Sequence, residues 1–241
     1  MNTNSPAVMK GKKHPHTKRH DATGAITAPN LIRWAGLPAM AAGMLFIAIQ
    51  PIHPPEHLSS VTTAAWANVA CLTVAMALFA QLGITGIYAK QVKEAGWLGL
   101  AGFLMLSLFW AATAAFAFAE AFILPLLATD APQFVEGFLG IFSGASSEAN
   151  LGFLPAAAPV AGILYMLGGL LFGVATLRAG ILPRWAGALL ALGSVSTLAA
   201  SLLPHPLDRT LAVPVGLALA WLGYALLSDR REKAVNANVY E

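Results

Sequence analysis

Apolar residues in this chain form runs too long and too continuous for an alternating strand or a one-faced helix, separated by short stretches holding proline, glycine and charge. A helix needs about 20 mostly apolar residues to cross the hydrocarbon core of a bilayer. Six segments meet that need, at about 32–51, 58–88, 96–124, 157–178, 183–203 and 210–228. They predict an all-α polytopic membrane bundle of six transmembrane helices over residues 31–230. A tail over 1–30 precedes it and a short C-terminal tail over 231–241 follows. The second and third segments are long enough to tilt strongly or to project beyond the bilayer.

Composition strengthens this picture: 57% of the residues are apolar and 10% charged, against about a quarter charged in soluble domains. A water-soluble globule is excluded on that ground. The formal net charge of +3 hides where the charges sit. Lys10, Lys12, Lys13, Lys18 and Arg19 against Asp21 make the tail strongly basic, and the remaining chain is close to neutral. The tail lacks apolar periodicity, so it is expected to stay disordered. It is too long and too charged for a secretory signal, and it suits contact with anionic lipid. Nucleic-acid binding is not expected, because the tail has no aromatic or structured companions.

Lysine and arginine also orient the segments, since short loops rich in them stay cytoplasmic. Six crossings put 13 of the 14 basic residues on one side, with Arg209 alone on the other. Both termini are therefore expected in the cytoplasm of a bacterial inner or plasma membrane. Trp34, Trp97 and Trp185 fall at the cytoplasmic starts of the first, third and fifth segments, where an indole prefers the interface. The large outer loop, 125–156, carries Phe134, Phe138, Ile141 and Phe142 at helical spacing. It predicts a short amphipathic segment lying on the outer leaflet or folded over the bundle mouth, with a flexible glycine-containing loop as the alternative.

The segments resemble one another. Arg33-Trp34-Ala35-Gly36 opens the first, Arg184-Trp185-Ala186-Gly187 the fifth and Gly96-Trp97-Leu98-Gly99 the third. His53-Pro54 with Glu56 and His205-Pro206 with Asp208 follow the first and fifth at nearly equal distance. The pattern predicts three repeated helix hairpins about an axis along the membrane normal, against chance similarity among Ala/Leu/Gly-rich segments. Ala39-x-x-x-Gly43 and Gly169-x-x-x-Gly173 would allow close helix approach. Pro159 and Pro214 are expected to kink the fourth and sixth segments. Cys71, the one cysteine, is expected to be buried and inert.

Among polar groups, an intramembrane carboxylate is the natural functional candidate. Glu120 lies about 36 Å of helix from Gly96, toward the outer end of the third segment, and suits proton coupling or the counter-charge of a cation. The alternative is a structural glutamate held by Asn68, Thr113 or a carbonyl. Trp110 and Phe116, with Phe103, Phe109, Phe118, Phe122, Tyr165 and Trp66, would line a pocket for an apolar or cationic ligand, unless they serve packing and lipid contact. His53, Glu56, His57, His205 and Asp208 form the candidate set for a divalent metal. Helix N-termini account for much of the same His-Pro-x-x-acid pattern. No histidine lies deep in a segment, which argues against haem, and no phosphate-binding loop, zinc-protease or nucleophile-elbow motif occurs.

The strings "AKQVKEAGWLGLAGFLMLSLF" from Ala89, "FAEAFILPLLA" from Phe118, "FVEGFLGIFSG" from Phe134, "AGILPRWAGALLALG" from Ala179 and "LPHPLDR" from Leu203, with His53-Pro-Pro-Glu56, resemble bacterial six-helix integral membrane proteins. That uncharacterised group has no assigned activity, so the resemblance implies a fold over about residues 33–231 and carries over no functional residue. Three classes remain open: a small transporter or binder of a small molecule or ion, a non-catalytic membrane subunit or lipid-binding accessory protein, and a metal-dependent or redox enzyme. Beyond the bilayer, the expected partners are a second copy of the chain or another subunit.

Overall fold

The computed structural model describes residues 26–143, 149–202 and 207–239. Residues 1–25 of the tail and His205 lie outside the described residues, and the tail's last residues, from Ala28, already belong to α1. The described residues are helical without a strand: α1 (Ala28–Trp34), α2 (Gly36–Ile52), α3 (Leu58–Val61), α4 (Ala64–Lys90), α5 (Val92–Phe118), α6 (Leu124–Leu127), α7 (Pro132–Ser143), α8 (Ala157–Ala179), α9 (Arg184–Ser196) and α10 (Val213–Val239). A π-turn, Ala119–Ile123, joins α5 to α6, and 3-10 turns cover Leu154–Ala156, Thr197–Leu202 and Leu207–Ala212.

Five stretches are long and apolar enough to cross a membrane: Ala28–Ile52, Ala64–Lys90, Val92–Leu127, Leu154–Ala179 and Arg209–Ser228. Large apolar side chains also cover the outside, among them Leu82, Leu108 and Leu192. A surface of that kind needs lipid, not water, around it, so the chain is a helical membrane protein.

The six main helices pack as a ring in chain order: α2 on α4, α4 on α5, α5 on α8, α8 on α9, α9 on α10, and α10 back on α2. Small residues set the spacing, as expected where lipid removes the hydrophobic drive between helices. A Cβ on Gly36 would meet the carbonyl of Gly223, and one on Gly43 the carbonyl of Gly216, so α2 and α10 touch backbone to backbone. Gly173 and Gly187 stand in the same relation between α8 and α9, where a Cβ on Gly187 would lie 2.8 Å from the Gly173 carbonyl. Buried polar groups are few. Gln91, between α4 and α5, donates its amide to the Thr176 hydroxyl on α8 at 2.7 Å.

Several expectations change here. The fifth segment is not a continuous α-helix. Ser196 Oγ bonds the Gly193 carbonyl and Thr197 Oγ1 the Ser194 carbonyl, each at 2.7 Å, and these hydroxyls compete with the α-helical bonds. The backbone tightens to a 3-10 turn from Thr197. Pro159 and Pro214 do not kink their helices: each sits in the first turn, where proline is tolerated. Cys71 is exposed on the outer flank of α4. The third segment does bend, at Gly96, whose φ of 55° suits only glycine. Trp34, Trp97 and Trp185 are all exposed, at the end of α1, just after the bend in α5 and at the start of α9.

Candidate functional site at the His53 end of the bundle

α2 stops where two prolines follow His53, because a residue before proline avoids helical backbone; His53 is extended, with φ −67° and ψ 122°. Its Nδ1 lies 2.9 Å from the Pro54 carbonyl, so the ring proton belongs on Nδ1. Arg209, from the 3-10 turn before α10, places Nη2 3.4 Å from the same Nδ1, a contact that is a hydrogen bond only in the other ring tautomer. Arg209 also approaches Glu56 at 3.6 Å, looser than the 2.7–2.9 Å typical of a charge-assisted bond. The first His-Pro turn thus meets Arg209, the residue that the sequence marked only as the one basic group on the outer side.

Glu120 sits in the π-turn, and the cause is local. Leu124 N–H bonds the Ala119 carbonyl, five residues back. The next donor in that register would be residue 125, which is proline and has no N–H. The Glu120 carbonyl therefore lacks a donor in its own helix, and Trp66 supplies one, Nε1–H to Glu120 O at 3.0 Å. Trp66 is fixed from the other side as well, since Thr63 Oγ1 caps α4 by accepting from Trp66 N at 3.2 Å. The Glu120 carboxyl has no hydrogen-bond partner among the described residues. It faces a cleft lined by His53, Pro54, Trp66, Val69 and Ala70 that is too tight to admit a water molecule.

α7 closes this end. Its buried face, Val135, Phe138 and Leu139, packs on Val61, Trp66 and Leu124, and Phe116 meets Phe138 at a ring distance of 5.3 Å. The amphipathic segment expected in the loop is therefore folded over the bundle mouth. The side chain of Phe142 lies outside the described residues. Between α7 and α3 lies an open depression of about 530 Å³ lined by Glu56, His57, Ser59 and Glu136.

The expected residues separate into three places. Glu120 and Trp66 meet, and Phe116 joins the α7 cluster beside them. Asn68 is exposed; two positions from Trp66 turn it to the opposite face of α4, so it does not reach Glu120. Trp110 lies about 15 Å farther down the helix, packed edge-on against Phe46 and Phe109. Phe118 and Phe122 point outward. Among the metal candidates, His53, Glu56 and His57 are drawn to one end. The described residues hold no group of three or more His, Cys, Asp or Glu side chains placed to share a metal. Arg209 stands among them, and its charge opposes a cation at that point. The Asp208 side chain, like His205, lies outside the described residues.

Replacing Trp66 by phenylalanine keeps most of the ring and removes the donor to Glu120 O. An unpaired buried carbonyl costs about 1–3 kcal/mol, so thermal unfolding in detergent is expected at clearly lower temperature. An unchanged melting curve would mean that the Trp66 bond does not hold the π-turn.

Compared with protein-family models, curated proteins and solved structures, the chain matches none of them.

Proposed function

We propose that this protein is a small transporter, or a binder of a small cation or protonated amine, with six crossings and its site at the outer face of a bacterial inner membrane. The observation that carries this reading is the Glu120 carboxyl, unpaired among the described residues, at the cleft it shares with His53 and Trp66. A half-buried acid inside a membrane span, with no partner among the described residues, costs free energy that packing alone gives no reason to spend. The depression bearing Glu56 and Glu136 would attract a cation above it.

The crossing number and orientation rest on the basic residues and on geometry. α9 contributes about 20 Å and the following 3-10 turn about 12 Å, together the thickness of the hydrocarbon core. Both chain ends are then cytoplasmic. The repeat draws support from the ring order and from its glycines: Gly36 and Gly187 end the two Arg-Trp-Ala-Gly strings, and each meets a glycine of the preceding helix in the ring.

The test is uptake into liposomes containing purified protein and a trapped pH-sensitive dye, against a panel of small amines and inorganic cations. Substrate-driven proton movement is expected from the wild type and from Glu120→Asp, and its loss from Glu120→Gln. Uptake of every substrate at wild-type rate by Glu120→Gln would refute a coupling role.

A further inference from the structure

A further space lies on the flank of the bundle. A groove of about 490 Å³ runs between α2, α5, α8 and the two 3-10 turns that follow α9. That is within the usual 300–1,000 Å³ of a small-molecule pocket. Its walls are mostly apolar, with Phe46, Phe109, Ala161, Met166, Leu211 and Ala212. It shares no lining residue with the Glu120 cleft.

The polar groups on its walls are unevenly distributed in kind. At the His53 end stands Arg209, whose side chain is 23% exposed. Its guanidinium carries five donors and is held only by the long contact to Glu56 and the edge of His53. Within the groove lies Tyr165, 7% exposed, its hydroxyl buried with no hydrogen-bond partner. The other candidates are already engaged: Gln50 donates to the Phe46 carbonyl at 2.9 Å, and Thr197 to that of Ser194. A charged donor thus stands at the mouth of an apolar channel of about 12 Å of helix from Ala158 to Met166. Gly162 keeps the channel open, since a Cβ there would meet nothing within 4 Å.

We propose that this groove binds an anionic phospholipid, its phosphate on Arg209 and an acyl chain along Phe46, Phe109 and Met166. The charge is the discriminating element. An apolar chain alone would not need Arg209, and a free anion would not need the channel.

The experiment is native mass spectrometry of the full chain released from micelles containing equal amounts of phosphatidylglycerol and phosphatidylcholine. The wild type is expected to retain phosphatidylglycerol at least tenfold over phosphatidylcholine. Gly162→Phe fills the channel and is expected to lower retention of both about tenfold while leaving the melting temperature unchanged. Arg209→Gln is expected to keep the chain site and lose the preference between headgroups. Equal retention of both lipids by the wild type would overturn the proposal, as would Gly162→Phe retaining phosphatidylglycerol normally. Displacement by inorganic phosphate alone would reduce the groove to an anion site and overturn it. Displacement by oleate at lower concentration than by phosphatidylglycerol would assign the groove to free fatty acids instead. Should Gly162→Phe not fold, the headgroup preference of Arg209→Gln decides the matter alone.

Discussion

Gly43→Leu is expected to be the most damaging single substitution in the bundle. The added side chain would enter the space held by the Gly216 carbonyl and the Ala220 backbone of α10, and backbone on both sides cannot rotate out of the way. Overpacking a core side chain against movable neighbours costs about 1–3 kcal/mol. Here the helices themselves must separate, so a loss of about 3 kcal/mol or more is expected. The measurement is the fraction of monodisperse protein left after heating in detergent, by fluorescence-detected size exclusion. Gly162→Leu is the matched control, with the same side chain added to open space, and its melting temperature is expected to stay at the wild-type value. Equal melting temperatures for the two variants would mean that the α2–α10 contact is not close-packed.

Trp110→Ala is the second large effect. The indole is 2% exposed and stands edge-on to Phe46 and Phe109. Truncating a buried Trp costs about 3–5 kcal/mol, including the cavity left behind. Trp110→Phe separates packing from hydrogen bonding. The buried Nε1–H has no partner, so its removal relieves an unsatisfied donor and offsets part of the lost volume. A thermal shift less than half that of Trp110→Ala is therefore expected. A phenylalanine variant as damaged as the alanine one would show that the N–H has a partner of consequence, such as a bound ligand. That outcome would return Trp110 to the binding role its sequence context implied.

What the sequence disclosed follows from which forces act locally. Five of the six apolar segments are legible as spanning helices because a bilayer demands long apolar runs, and long runs survive any uncertainty about neighbours. The break in the fifth is not. Ser194, Ser196 and Thr197 read as ordinary small polar residues, and only their bonds to nearby carbonyls turn the helix into a tighter coil. Which face of a span points inward is also obscure when every face is apolar. For that reason the sequence points Cys71 and Asn68 inward, whereas both side chains are exposed. Glu120 stood out as an acid inside a span, but its indole partner is 54 residues away. The signal that could have led to it was Pro125, five residues past Glu120, which removes a donor and leaves a carbonyl to be satisfied from outside the helix. Arg209 was visible as a solitary charge, and its partners in the first His-Pro turn required the closed ring.

That ring has a consequence for biosynthesis. Helices enter the membrane in chain order, and each finds its first neighbour in the one before it. α2 alone must wait, because the surface carrying Gly36 and Gly43 fits only α10. Until the final span is inserted, that seam stays open to lipid or to another chain. Assembly therefore ends with a single closure, and the moment before it is when a second copy could exchange its α10 for this one.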